Sequence, residues 1–185
     1  MRSFTNLELP SDRLLLRPLQ QGDAEELFQI FSNPQVMRYW SHPAWENIAS
    51  AREQIELDEV ELAKGDHLRL GIIRKRDEAL IGTCSLFAFD IQNRRCEVGY
   101  ALHPDAWHQG FMQEALCVLL DYAFDTLDLN RLEADIDPRN IASAKSLERL
   151  GFLQEGLLRQ RWIVGEEVSD SALYGLLRED WRSKR

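Results

Sequence analysis

Three short stretches of this chain carry residue types and spacings that could do chemistry. The first is Glu133-Ala134-Asp135-Ile136-Asp137, where every second residue is a carboxylate. Alternate side chains of an extended strand share a face, so the three acids form one row. Such a row can take up a substrate proton; it equally suits a solvated strand edge. The second is Asn140-Ile141-Ala142-Ser143. Both polar residues satisfy the free N–H groups of a helix start, and their amide and hydroxyl can also serve a ligand. The third is Trp107-His108-Gln109-Gly110-Phe111-Met112-Gln113-Glu114-Ala115, a turn opening an apolar helix. The first N–H groups of a helix lack internal partners and carry partial positive charge. They make a ready site for pyrophosphate, and a glycine at 110 lets backbone approach it closely. One glycine at a helix start is also an ordinary turn.

These residues must be positioned by regular elements, and the pattern supplies them. Residues 13–17 read as a first strand, and Asp23 as the cap of a helix ending near Asn33-Pro34. An aromatic-rich irregular stretch over 35–43 precedes a longer helix over 45–64, stopped by Gly65. Residues 68–73 and 80–89 read as paired strands joined by the polar turn 74–78, and 96–102 as the next strand. Met112, Leu116, Leu119, Leu120, Ala123 and Phe124 recur at three and four, which predicts a helix over 110–127. A strand over 132–136 and a helix over 141–150 closed by Gly151 follow. The chain then reads as a hairpin-like section over 152–164, a last strand over 172–177 and a polar tail over 181–185. With no repeat or linker, this order predicts one mixed α/β domain over residues 7–181.

Composition limits the function classes. The 185 residues are 44% hydrophobic and 29% charged, ordinary for a globular protein with a sizeable core. A net charge of −9 argues against a general nucleic-acid binder, which needs clustered Lys and Arg. It mildly suits a cationic partner, although acidity for solubility alone is common. Cys84, Cys96 and Cys117 fit no metal or redox spacing and read as reduced thiols. The start of the chain lacks an apolar stretch of signal length, and no run approaches the ~20 apolar residues of a membrane span. A cytoplasmic protein without membrane attachment is expected.

Taken in order, Glu97-Val98-Gly99-Tyr100, the Gly110 turn with Glu114-Ala115, the 131–136 strand, Asn140-Ile141-Ala142-Ser143, Gly151-Phe152 and Glu155-Gly156 resemble the acyl-CoA core of the GNAT superfamily of N-acetyltransferases. Within it, the chain is similar to the branch that includes the ribosomal-protein N-terminal acetyltransferases; Asp170, Tyr174 and Trp181 match that branch's ending. The resemblance implies a central mixed, mostly antiparallel twisted sheet flanked by helices. It is splayed between the fourth strand, 96–102, and the fifth, 132–136. It also implies acetyl-CoA as cosubstrate, no metal, and direct transfer to an amine in a ternary complex.

Residue by residue, the resemblance places the pantetheine arm along Val98, Gly99, Tyr100 and Ala101. The pyrophosphate falls on His108, Gln109, Gly110, Phe111, Met112 and Gln113. Asn140 reaches the arm and Ser143 the sulfur. Asp135 becomes the base, with Glu133 the alternate, though orientation of the amine can suffice without one. A backbone N–H of the splayed strand would hold the carbonyl oxyanion. Tyr39, Trp40, Glu97 and Trp162 fall on the acceptor side, where aromatics line a pocket or simply pack. Arg139, Lys145 and Arg149 are placed for the 3′-phosphate or as a solvated helix face. The chain departs from the pattern at His108 and Met112, where small residues are usual, and at Leu147, where many relatives carry a tyrosine acid. Protonation of the thiolate then falls to Ser143, Tyr174 or solvent, with Ser143 favoured by spacing. A protein N-terminal α-amine is the expected acceptor. A small amine, an amine-bearing antibiotic, or an acyl-CoA sensor without catalysis are the alternatives. A homodimer is the default assembly.

Overall fold

The computed structural model describes residues 3–184. Met1 and Arg2, at the start read above for signals, and Arg185, at the end of the polar tail, lie outside them. Eight strands form one sheet: β1 (Leu9–Pro10), β2 (Leu14–Arg17), β3 (Leu68–Arg74), β4 (Ala79–Asp90), β5 (Arg95–Leu102), β6 (Arg131–Ile136), β7 (Leu153–Val164) and β8 (Glu167–Leu177). Their order is β1-β2-β3-β4-β5-β6-β8-β7. Every neighbouring pair is antiparallel except β5 and β6. The helices are α1 (Ala24–Phe31), α2 (Pro34–Met37), α3 (Ile48–Lys64), α4 (Phe111–Asp121), α5 (Ile141–Leu150) and α6 (Arg178–Ser183). The expected mixed, mostly antiparallel sheet flanked by helices is what forms. The small strand β1 makes the expected fourth and fifth strands β5 and β6.

Alternation along β5 sorts side chains between two apolar cores. Cys96, Val98 and Leu102 join the larger one, with Leu116, Leu119 and Leu120 of α4, Leu147 of α5 and Trp181 of α6. Ala101 joins a smaller one with Leu27 and Ile30 of α1 and Ala51 and Ile55 of α3. On the second face Glu97 and Gly99 point with Ala101, so a polar strip runs beside an apolar one on the same strand.

Several local expectations change. Asp23 lies in a short 3-10 turn and makes no side-chain cap for α1; its carboxylate instead accepts from Gln20 N at 2.7 Å and pairs with Arg17 at 2.7 Å. The predicted 110–127 helix is α4 followed by a π turn over Tyr122–Thr126. The hairpin strand β8 begins at Glu167, earlier than apolar content suggested, because β7 pairs with it there. The tail folds as α6, anchored by buried Trp181, whose Nε1 donates to Asp121 at 2.9 Å. β7 carries a bulge: Leu158 faces Ser171, yet the next rung is Trp162 with Ser169. Gln160 sits there at φ 52°, and its N–H donates to Asp170 at 2.8 Å.

Candidate active site

The β5–β6 ladder has only the rungs Arg95–Arg131, Cys96–Leu132 and Glu97–Glu133. Beyond Glu97 the two strands part, leaving the β6-facing edge of β5 without a strand partner. This is the predicted splay. A cleft of about 550 Å³ opens there. Its walls come from Glu97 to Tyr100 of β5, Asp135 at the end of β6, and Asn140 and Ser143 at the start of α5. The segment after α2, with Tyr39 and Trp40, and Trp162 of β7 close it from the other side.

The residues present fit acetyl-CoA. Two amides of a pantetheine arm could pair with the free main-chain groups of β5. Nearby, α4 starts from Gly110 at φ 79° with no side chain capping its first N–H groups, which leaves them for pyrophosphate. A side chain at 110 would be strained at that φ and would sit 3.5 Å from Arg13 Nη2. His108, also at positive φ (59°), and Gln109 are exposed and do not line the cleft. Phe111 is buried, and Met112 packs on the larger core rather than facing a ligand. Gln113 lies within hydrogen-bond reach of Cys117 Sγ, at 3.9 Å. Arg13 is the residue the sequence did not single out. It pairs with Glu114 at 2.6 Å, donates to Gln109 O at 3.0 Å, and lies over Phe111 at 4.4 Å. Arg13, just before β2, thus braces the turn that opens α4.

At the floor of the split, Ser143 Oγ and Tyr100 Oη are 2.8 Å apart. Burial pushes the Tyr100 phenol up to about 12, so it keeps its proton. Asn140 caps α5, its Oδ1 accepting from Ser143 N at 3.1 Å, which leaves the Nδ2 amide to donate. Tyr174 is buried in the larger core outside the cleft, and Leu147 is fully buried. Val98 and Ala101 are core residues; of the four β5 positions expected at the cofactor, Val98, Gly99 and Tyr100 reach the cleft and Ala101 does not.

The acids separate sharply. Asp135 lines the cleft, but both its oxygens are engaged: one pairs with Arg161 Nε at 3.0 Å, the other accepts a short hydrogen bond from Ser171 Oγ. Glu133 stays outside the cleft, clamped by Arg95 and Arg131 at 2.7 Å each. Both oxygens of this expected alternate base are thus engaged by arginines. Asp137 is held by Arg139, which also pairs with Glu167 at 2.6 Å. Of the four acids that line the cleft, Glu97, Asp135, Asp137 and Glu167, only Glu97 has no side-chain hydrogen bond or ion pair among the described residues. Burial first, then the charges of Asp135 and Glu133, raise its pKa.

The acceptor wall is aromatic. Trp40 packs edge-on against Phe31 with centroids 5.3 Å apart. Tyr39 lies under the guanidiniums of Arg38 (5.1 Å) and Arg139 (5.7 Å), and Trp162 under that of Arg161 (5.6 Å). Phe87 stacks on His67, centroids 5.5 Å apart. A Cβ on Gly99 would come within 3.2 Å of the Phe87 ring, so glycine there lets the ring floor the cleft. Burial, with Arg69 nearby, lowers His67 to about 4 and leaves it neutral.

Residues 13–153 match the family of acetyltransferase (GNAT) domains. The uncharacterized N-acetyltransferase p20 of Bacillus licheniformis is 36% identical over 173 residues, covering 94% of this chain and 97% of that one. YdaF of Bacillus subtilis, whose name assigns it provisionally as a ribosomal N-acetyltransferase, is 32% identical over 180 residues, with 95% and 97% covered. A solved structure described as a probable acetyltransferase superposes with a TM-score of 0.85 at 29% identity, covering 95% of this chain and 99% of that one. A more distant relative is the spermidine N(1)-acetyltransferase of Vibrio cholerae, 24% identical over 165 residues, with 86% and 90% covered. With this match over most of its length, and with a parallel pair of strands that parts above a half-buried carboxylate, the chain belongs to the GNAT acetyltransferases.

Proposed function

We propose that the chain moves an acetyl group from acetyl-CoA to the α-amine of a protein N-terminus, and that Glu97 is the base. The observation that carries this reading is Glu97 itself: in the cleft, unpartnered, and raised in pKa by burial and neighbouring acids. A carboxylate with a raised pKa is a better proton acceptor at neutral pH. Asp135, expected as the base, is spent on Arg161 and Ser171 and acts as the fixed charge that keeps Glu97 basic.

The cosubstrate supplies an activated acetyl group as a thioester. Val98 to Tyr100 offer main-chain groups to its arm, Asn140 Nδ2 a donor, and the first turn of α4 its N–H groups to the pyrophosphate. The chain's own chemistry lies on either side of the split. Glu97 takes one proton from the ammonium; the free amine then attacks the thioester carbon to form the new C–N bond and gives up its second proton, which replaces the one Ser143 passes to the departing sulfur. Tyr100, protonated at neutral pH, donates to Ser143 Oγ, which frees the Ser143 proton for the departing sulfur as the C–S bond breaks. Tyr100 positions; Ser143 touches.

The α-amine is favoured on proton energetics. It has a pKa of about 7.7–8.0 against about 10.4 for a lysine-type amine. Deprotonation at Glu97 is thus easier by about 3.5 kcal/mol, and the naming of YdaF points the same way. The test is thiol release from acetyl-CoA with a peptide carrying a free N-terminus and no lysine, against the same peptide pre-acetylated. Turnover of the first alone is expected. Ser143→Ala should lower kcat about tenfold to a hundredfold with KM for acetyl-CoA little changed, and Tyr100→Phe somewhat less. Peptide-independent thiol release, or equal turnover of the free and the pre-acetylated peptide, overturns the α-amine reading.

A further inference from the structure

We infer that the acceptor cleft is built for an amine carrying one positive charge on an otherwise uncharged body, and that Arg38 and Arg139 enforce this by excluding polyamines. The inference rests on the acetyl-transfer reading above and specifies its acceptor.

The cleft's own charges already answer one another. A site for a polycation needs several free carboxylates spaced along a groove, since each ammonium must be paired as it loses water. This cleft contains carboxylates, but its own arginines occupy them. Asp135 is taken by Arg161. Asp137 and Glu167 are both taken by Arg139, and Arg38 adds a second positive charge felt by Asp137. Arg69, also on the wall, is paired with Asp58 at 2.8 Å. What remains is Glu97, enough for one ammonium.

The aromatic faces tell the same story independently. Tyrosine and tryptophan rings attract cations over their faces and would be natural seats for a second ammonium. Here Tyr39 is covered by Arg38 and Arg139, and Trp162 by Arg161. A second ammonium on the acceptor would meet guanidiniums where it needs carboxylates and rings. A neutral body meets Phe87, Trp40 and the neutral ring of His67 instead. Arg139 matters most, since one guanidinium silences two acids. Its loss returns Asp137 and Glu167 to the cleft as free negative charges.

The experiment compares acetyl transfer, by thiol release, to a lysine-free peptide with uncharged side chains, to a small neutral-bodied primary amine, and to spermidine. Wild-type protein should prefer at least one single-charge acceptor over spermidine in kcat/KM by on the order of 100-fold. Arg139→Gln should raise the spermidine-to-monoamine ratio about tenfold or more. Adding Glu167→Gln to it should take back part of the gain, and Arg139→Lys should show little gain. Arg38→Gln, at an exposed position with no ion pair among the described residues, should shift the ratio the same way and serves if Arg139→Gln does not fold. A wild-type ratio near one, a ratio unmoved by both glutamine variants, or an equal gain in Arg139→Lys overturns the inference and leaves acetyl transfer standing. Transfer to none of the three acceptors, with acetyl-CoA bound as judged by calorimetry, overturns the transfer reading and the inference with it.

Discussion

Glu97 and Glu133 face each other on the last rung of the parallel ladder, and their surroundings are opposite. Below the split, Glu133 is gripped by Arg95 and Arg131, and Arg131 reaches on to Glu155 of β7 in a short ion pair. Those contacts raise the Arg131 pKa and lower that of Glu155, so the charged forms are favoured. At two residues of the cleft the shifts run the other way. Glu97 is raised and His67 is lowered to about 4, so both neutral forms are favoured. Residue type and register therefore do not separate a structural acid from a reactive one. The supply of arginines does: Arg95 and Arg131 hold Glu133, Arg161 holds Asp135 and Arg139 holds Asp137, and Glu97 is left without one.

The sharpest way to break this comparison is to neutralise each acid in turn. Glu97→Gln should lower kcat by about 10²–10⁴. Glu133→Gln should leave kcat within about threefold. In wild type the rate should rise with pH through the raised pKa of Glu97, because the base works only when ionised. That limb should be missing in Glu97→Gln. Equal losses from the two variants would sink the assignment.

The next effect is on stability in acid. His67 has a folded pKa of about 4 against an ordinary 6.5. The unfolded chain therefore binds more protons between those values, so stability rises with pH through that window and is lost as pH falls toward 4. Denaturant melts at pH 7 and 4.5 should show wild type losing about 2–3 kcal/mol more than His67→Phe. An identical loss in both proteins would mean that His67 is not held neutral.

Smaller again is the cost of Glu133→Gln at neutral pH, about 1–3 kcal/mol from an ion-pair network left half satisfied. The smallest shift has the opposite sign. A carboxyl raised on folding contributes stability only at low pH and loses it as pH rises through the folded pKa. Glu97→Gln should therefore melt slightly above wild type at neutral pH, whereas Glu133→Gln melts below it. A lower melting temperature for both would place Glu97 in the structural class.

Much of the frame was legible in the sequence. Strands such as β3 and β4 show their apolar content locally, and the α4 periodicity is unmistakable. What failed was decided by distant partners. β8 starts among Glu167, Val168 and Ser169 because β7 pairs with them. α6 holds a single large apolar residue, Trp181, and exists because that ring reaches the core and Asp121. Asp23 looks like a cap, but Arg17 claims it. The site divides the same way. Gly110, Asn140 and Ser143 were readable from local helix chemistry. Which of Glu97, Glu133 and Asp135 stays unpaired was not, because Arg95 reaches Glu133 across 38 residues and Arg161 reaches Asp135 across 26. Tyr100 was visible as strand backbone, but its meeting with Ser143, 43 residues on, depends on how α5 docks.

The bulge in β7 has a consequence for how copies of this molecule behave in a crowded solution. β7 is the outer strand of the sheet, and Leu157, Ile163 and Val168 on the hairpin are exposed. A flat edge of that kind recruits further strands and seeds precipitation. Between Leu158 and Trp162 the rungs lose step, and two arginines, Arg159 and Arg161, flank the kinked Gln160. A strand arriving from another copy would find only short runs to zip against and a charged step between them. Straightening that step by deleting residues would be expected to cost solubility before it cost the fold.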